Sequence, residues 1–106
     1  MISAIENTYY EVIIDAKSIK YDKYDCKQIM CDSKDACVEF IRIIIDEIRE
    51  RKDCAEYTDV WFPQGVVSNN CFTYIELRTP IVDKKFKCAI SFRVQPIRVV
   101  DVEKID

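Results

Sequence analysis

The chain has 106 residues and a formal net charge of −3, and it contains no histidine and a single glycine, Gly65. Without histidine it lacks the side chain most often used for proton transfer near neutral pH and the commonest metal ligand. With one glycine it cannot build a glycine-rich phosphate loop, a nucleophile elbow or a dinucleotide-binding fingerprint. These absences remove most enzyme classes, so we expect a non-catalytic protein with no cofactor and no metal.

The length fits a single globular domain spanning residues 1–106, and 49% of the residues are hydrophobic, enough for a core. Sixteen isoleucines stand against one leucine, Leu77, so the core depends on β-branched and aromatic side chains that favour sheets. No stretch is long and apolar enough to span a membrane, and the first residues lack the features of a secretion signal. We therefore expect a cytoplasmic protein with no membrane partner.

The first predicted element is a strand over residues 8–17, where apolar side chains alternate with polar or mixed ones. Residues 18–31 allow two interpretations, a hairpin partner of that strand or a loop. One helix is predicted from Ser33 to Lys52, with Asp32 or Ser33 as its cap. Its buried stripe is formed at helical spacing by Cys37, Phe40, Ile41, Ile44 and Ile48.

Beyond the helix, the period of the apolar pattern changes to that of strands. Strands are predicted over residues 55–62, 71–79 and 86–95. A turn is expected at 63–70, where the glycine and two asparagines lie. The last of these strands should place on one apolar face Phe86, Cys88, Ile90, Phe92 and Val94. Pro96 is expected to interrupt it, leaving a short edge strand over 97–102.

This order of elements predicts an α+β fold, a two-layer domain with a mainly antiparallel sheet of four to five strands and one long amphipathic helix packed on one face. Short links between the later strands favour a meander. One helix covers only one side of such a sheet. The other side leaves partly in water Tyr9, Ile13 or Trp61, together with Phe72 and Tyr74. We therefore expect a homodimer formed through that open face or through an edge strand.

The six cysteines are irregularly spaced, at Cys26, Cys31, Cys37, Cys54, Cys71 and Cys88. They lack the C-x2-C pairs of zinc fingers, and without histidine a zinc ion would need four thiolates. Disulfides need an oxidising compartment, which the sequence does not indicate. We expect mostly buried free thiols, with disulfides as the first alternative and a metal site as the second.

A candidate partner-binding site follows the helix. Residues 53–70 carry three acids and no base, and aromatic side chains lie among them. Large aromatic side chains at a sheet edge are favoured binding anchors, and acids speed the capture of a basic partner. Burial of both aromatic side chains in the core is the alternative. The candidate residues are Glu56, Asp59, Trp61 and Phe62, with Tyr21 and Tyr24 as further contacts or ordinary loop tyrosines.

A candidate ligand site lies in the basic last third, where residues 71–106 carry seven bases and five acids. A phosphate-bearing ligand could be held there at a subunit interface, where small domains often form pockets. The candidate residues are Arg78, Lys85, Lys87 and Arg93. No segment is basic enough for a nucleic-acid footprint, and the sequence pattern of RNA-binding sheets is absent. No nucleic-acid partner is expected.

The first functional hypothesis is a small non-catalytic binding protein that acts by occupying the surface of a partner protein. The acidic, histidine-free and glycine-poor profile is typical of inhibitors such as phage anti-defence proteins or immunity proteins, although no residue motif is shared with them. The alternative is a ligand-sequestering domain for a nucleotide or another phosphate-bearing metabolite. An enzyme ranks third, because acid–base catalysis without histidine needs carboxylates or lysines tuned in a cleft.

Overall fold

The computed structural model describes residues 2–22, 28–63 and 74–104, with side chains over 7–22, 28–63 and 74–100. In these residues the elements are β1 (Ile2–Ala16), β2 (Gln28–Cys31), α1 (Lys34–Arg49), a 3₁₀ helix (Lys52–Cys54), β3 (Asp59–Trp61), β4 (Tyr74–Arg78) and β5 (Cys88–Lys104). Outside the described residues lie Tyr24, Cys26, Cys71, Phe72 and, apart from Pro63, the predicted turn at 63–70.

The five strands form one antiparallel sheet in the order β2-β1-β5-β4-β3. The first and last strands lie side by side at its centre, paired from Ile2 opposite Lys104 to Ala16 opposite Ile90. Strands β3, β4 and β5 are successive neighbours, which confirms the predicted meander. With one helix beside one antiparallel sheet, the predicted α+β class is also confirmed.

Helix α1 begins where its capping residue predicts. Ser33 has an extended backbone, and its hydroxyl oxygen accepts a hydrogen bond of 3.1 Å from the backbone N–H of Ala36. The helix ends at Arg49, three residues earlier than expected, and the chain then turns twice. Backbone hydrogen bonds from Cys54 to Arg51 and from Tyr57 to Cys54 hold these turns. The predicted strand over 55–62 is therefore reduced to β3.

The core lies between α1 and one face of the sheet. Its fully or nearly fully buried members from the helix and the strands are Val12, Ile14, Cys37, Ile41, Ile44, Ile45, Ile48, Ile75, Leu77, Ala89, Ile90, Phe92 and Val94. The helix members follow the predicted stripe, except that Phe40 is only partly buried. The opposite face of the sheet, which we call the uncovered face, carries no helix of the described chain.

A β-bulge at Ala89 changes which side chains share a face. Leu77 pairs with Ile90, but the next residue, Arg78, pairs with Cys88, so Ala89 is the extra residue. A one-residue insertion moves the residues before it to the other face. Cys88 and Phe86 therefore lie on the uncovered face, and the expectation that they share the apolar face of Ile90 was wrong.

Strand β5 runs through Pro96 without a break, so the expectation of a separate edge strand over 97–102 was wrong. Pro96 lies opposite Tyr10 of β1 and beyond Arg93, the last β5 residue that pairs with the described part of β4. Its missing N–H therefore removes no hydrogen bond from the described β4–β5 ladder. β1 likewise starts at Ile2 rather than at residue 8.

The two long strands extend past the described parts of β2 and β4 as a two-stranded ribbon. In it, residues 2–9 pair with residues 97–104, and the molecule reaches 66 Å in its longest dimension against 32 and 18 Å in the others. Within the described part of residues 18–31, Gln28–Cys31 is a strand paired with β1, whereas residues 18–22 form none. The hairpin interpretation therefore holds for Gln28–Cys31 and the loop interpretation for residues 18–22.

Candidate functional site

The uncovered face carries an ordered cluster where β3 meets β4. Trp61 pairs with Glu76 and Asp59 pairs with Arg78, so all four side chains share this face. The central guanidinium carbon of Arg78 lies 4.1 Å from the centroid of the Trp61 ring and 4.0 Å from that of Phe86. A guanidinium held between two aromatic rings gains cation–π attraction on both sides. These contacts hold the guanidinium of Arg78 in place, and the guanidinium in turn holds the ring of Trp61 in place.

Glu76 is the buried carboxylate of this cluster. Its Oε2 accepts hydrogen bonds of 2.8 and 2.5 Å from Arg78, and its Oε1 accepts one of 3.0 Å from the hydroxyl of Tyr74. Burial works to raise the pKa of Glu76, but the hydrogen bonds from Arg78 and Tyr74 outweigh it and leave the pKa below its usual value. Glu76 is therefore ionised near neutral pH.

The predicted partner-binding residues lie mostly around β3. Glu56 and Asp59 are exposed, and the hydroxyl of Thr58 donates to Asp59 at 3.2 Å. Trp61 is half-buried on the uncovered face, with its ring edge-on to Tyr74 at 6.2 Å between centroids.

The two adjacent aromatic side chains take opposite faces, as alternation along a strand requires. Phe62 packs partly against the core and lines a groove of about 340 Å³ beside α1. Trp61 and Phe62 are thus each half-buried, one on each face. Tyr21 lies elsewhere: its hydroxyl donates to Glu47 of α1 at 3.4 Å, and its ring packs against the core.

The predicted ligand residues are divided among three places. Lys85 and Lys87 line a groove of about 790 Å³ at the connection between β4 and β5. Lys84, another base of the last third, lines the same groove. Arg93 borders a separate cavity of about 370 Å³ on the uncovered face. Arg78 is held in its ion pair, so it would have to leave Glu76 to bind a phosphate.

The connection between β4 and β5 is a tight hairpin, which we call the hairpin tip (residues 79–87). Val82 and Lys85 exchange two backbone hydrogen bonds of 3.0 Å around Asp83 and Lys84. These two turn residues have φ values of 51° and 62°, the signature of a type I′ turn, usually occupied by Asn-Gly or Asp-Gly. Because Asp-Lys carries no such signal, the sequence does not reveal the geometry of this turn.

At the neck of the hairpin tip, the backbone N–H of Thr79 donates to the carbonyl of Lys87 at 2.9 Å. The N–H of Lys87 donates to the hydroxyl of Thr79 at 2.8 Å. The turn and the neck therefore both fix the backbone, and the tip is presented as a rigid projection.

The described cysteines, Cys31, Cys37, Cys54 and Cys88, are free thiols. Burial, followed by a hydrogen bond with Cys31, raises the pKa of Cys37 to about 12. Burial, followed by the charge of Glu76, raises the pKa of Cys88 to about 11. Reactive cysteines need a lowered pKa, so these two thiols are not nucleophiles near neutral pH. Among the described residues, no group of three or more Cys, Asp and Glu is arranged to hold a metal ion.

Within the described part of the chain, no helix has the length and apolarity needed to cross a membrane. Comparison of the chain with protein-family models, with curated proteins and with solved structures finds no significant match.

Proposed function

We propose that this chain is a small non-catalytic binding protein of the inhibitor type, which acts in the cytoplasm by occupying the surface of a partner protein. The observation that supports this most is the pairing of an exposed carboxylate, Asp59, with a held aromatic ring, Trp61, on one face of the edge strand β3. An aromatic anchor fixed before binding loses little conformational entropy when the complex forms. Arg78 provides that fixation.

The charge of this surface indicates the kind of partner. Glu56 and Asp59 are both exposed, and residues 53–70 contain no basic residue. Charge complementarity accelerates encounter and selects against partners of the same sign. We therefore propose a partner with a basic surface, contacted by the acids around β3 while Trp61 fills a pocket on that surface.

The test uses two charge-matched variants as baits in the native host. Glu56→Gln with Asp59→Asn removes the acids and adds no cation opposite Arg78. Glu39→Gln with Glu50→Gln makes the same change in charge on the exposed side and end of α1. A protein enriched by the wild type is then purified, and its affinity for each variant is measured directly.

We expect the β3 variant to bind at least tenfold more weakly and the helix variant to bind as the wild type does. Asp59→Ala with Trp61→Ala should also weaken the complex. Unchanged affinity for both β3 variants would remove this surface as the binding site.

The groove at the hairpin tip favours a second function, a ligand-sequestering domain for a phosphate-bearing metabolite. Lys84, Lys85 and Lys87 line this one groove together with a single acid, Glu56, and provide net positive charge for a phosphate. In a thermal-shift screen, a phosphate-bearing ligand at a hundredfold excess over its Kd should stabilise the protein by roughly 2.7 kcal/mol. The shift should disappear in Lys85→Glu with Lys87→Glu, and a shift that persists there would place the ligand elsewhere.

The proposal includes a homodimer, because half-buried side chains of the uncovered face on β1 have no covering layer in the described chain. Tyr9 and Ile13 lie there, separated by β5 and β4 from Trp61 of β3, which is left to the partner protein. Light scattering at micromolar concentration should give twice the monomer mass of 12.5 kDa. The monomer mass itself would refute the dimer and leave the whole face to the partner protein.

A further inference from the structure

We propose that the hairpin tip docks on the surface of a lipid bilayer that contains anionic lipids. The inference rests on the second candidate function. The groove lined by Lys84, Lys85 and Lys87, which we call the lysine groove, would bind a phosphate that belongs to a lipid headgroup. The contact is made from one side of the membrane, and it needs no spanning segment.

Three large apolar side chains are exposed close together at the hairpin tip. Ile81 is 61% exposed, Val82 is 66% exposed and Phe86 is 44% exposed. A cluster of exposed apolar side chains on a rigid projection indicates an interaction surface. Asp83 and Lys84 hold the turn at positive φ, so the apolar residues are presented by a fixed backbone.

The apolar side chains lie on both sides of the hairpin, which favours a bilayer over a small soluble ligand. Ile81 lines a crevice with Trp61, whereas Val82 lines the lysine groove. A metabolite in the groove would cover Val82 and leave Ile81 in water. Insertion of the tip into the interface between headgroups and acyl chains would cover both.

The charges of the tip complement an anionic surface. Lys84, Lys85 and Lys87 are exposed next to the apolar side chains. Asp83 is the one acid within residues 79–87, and Glu56 also lines the groove, so the three lysines outnumber the two nearby carboxylates. Lysine stems reach along apolar surface while the ammonium groups stay at the headgroups. Each lysine near an anionic membrane contributes attraction that falls off within a Debye length.

The experiment measures co-sedimentation of the full chain with two kinds of vesicle, one of phosphatidylcholine alone and one in which part of it is replaced by phosphatidylserine. One variant, Lys84→Glu with Lys85→Glu and Lys87→Glu, reverses the charge of the tip. Its matched control makes the same Lys→Glu change at three exposed lysines elsewhere, Lys17, Lys20 and Lys52. A further variant, Ile81→Ser with Val82→Ser, removes apolar surface and keeps the lysines. Thermal shift with inorganic phosphate is measured in parallel.

We expect binding to the anionic vesicles, weakened roughly a hundredfold by the tip charge variant and less by its control. The serine variant should lose vesicle binding while it keeps any phosphate-induced thermal shift. No binding to anionic vesicles, or equal loss in the control, would overturn the proposal. A phosphate shift without vesicle binding would leave the soluble-ligand function standing, and the absence of both would remove both.

Discussion

Glu76 and Arg78 form an ion pair of 2.5 Å on the sheet face that carries no helix, yet their side chains are only 10% and 11% exposed. The burial comes from aromatic rings that belong to neighbouring segments. Trp61 of β3 and Phe86 of the hairpin tip lie against the two sides of the guanidinium. The pair therefore connects three segments that meet at one end of the sheet, and it holds together both proposed binding surfaces.

Removing one partner of this pair should destabilise the fold strongly. Arg78→Met leaves the carboxylate of Glu76 buried without its cation, and we expect a loss of about 3 kcal/mol in the free energy of unfolding, measured in urea. Adding Glu76→Gln should restore part of that loss, because the uncompensated charge is gone. The exposed pair of Glu39 and Arg42, with atoms 3.6 Å apart, is the control. Arg42→Met should cost less than about 1 kcal/mol, and an equal cost at both arginines would contradict this account.

The same cluster predicts how stability depends on pH. The pKa of Glu76 lies below its usual value of 4.5 in the folded protein, so its ionised form stabilises the fold above that value. This contribution is lost as the pH falls through the lowered pKa. We expect the free energy of unfolding to decrease below about pH 4.5 and to decrease less steeply in Glu76→Gln.

The pKa of a second carboxyl group, that of Asp53, is also lowered, so its contribution has to be measured in a separate variant. A hydrogen bond from Arg51 lowers the pKa of Asp53, which is exposed. Asp53→Asn separates its share of the pH dependence from that of Glu76. If the free energy of unfolding decreases as steeply at low pH in Glu76→Gln as in the wild type, the buried pair does not cause that decrease.

Thiol labelling should distinguish the cysteines by burial. In a variant with Cys26→Ser and Cys71→Ser, we expect Cys37 and Cys88 to react with iodoacetamide at pH 8 far more slowly than the same thiols in urea. Their raised pKa values, about 12 and about 11, leave little thiolate at that pH. Peptide mapping by mass spectrometry measures each site. Rapid labelling of Cys37 in the native protein would contradict its burial between α1 and the sheet.

Ser33→Ala should show the contribution of the helix cap. The substitution removes the oxygen that accepts the hydrogen bond from Ala36, and we expect a loss of about 1 kcal/mol in the free energy of unfolding. Ser18→Ala, at an exposed position in the loop after β1, is the matched control and should change stability little. Equal effects at the two serines would show that the cap is not what stabilises the start of α1.

The predictions that succeeded depend on residues close together in the sequence. The stripe of α1, the Ser33 cap and the alternation in β4 are each specified within a few residues, and their order was sufficient for the α+β class. The bulge at Ala89 depends on how β5 pairs with β4, so alternation within β5 alone predicted the wrong face for Phe86 and Cys88.

The burial of Glu76 could not be predicted from the residues around it in the sequence either, because it too depends on how separate segments pair. Alternation along β4 puts Tyr74, Glu76 and Arg78 on the face opposite Ile75 and Leu77, but nothing within the strand indicates what covers that face. The rings that exclude water from Arg78 come from Trp61 and Phe86, and only the pairing of three separate segments brings them together. For the same reason, the sequence indicates Trp61 and Asp59 as candidate partner-binding residues but does not show that Arg78 holds the Trp61 ring in place.

The central position of β1 and β5 has a consequence for how the protein forms during synthesis. Tyr10–Ile13 of β1 can pair early with β2, but the whole length of β1 waits for β5, since Ile2 pairs with Lys104. Until the last strand has left the ribosome, Val12 and Ile14, both buried in the finished sheet, have only part of their final surroundings. The sheet therefore closes after translation of residue 104, through contacts between distant parts of the chain that fold slowly. In that interval the nascent chain exposes an apolar strand that a chaperone can bind.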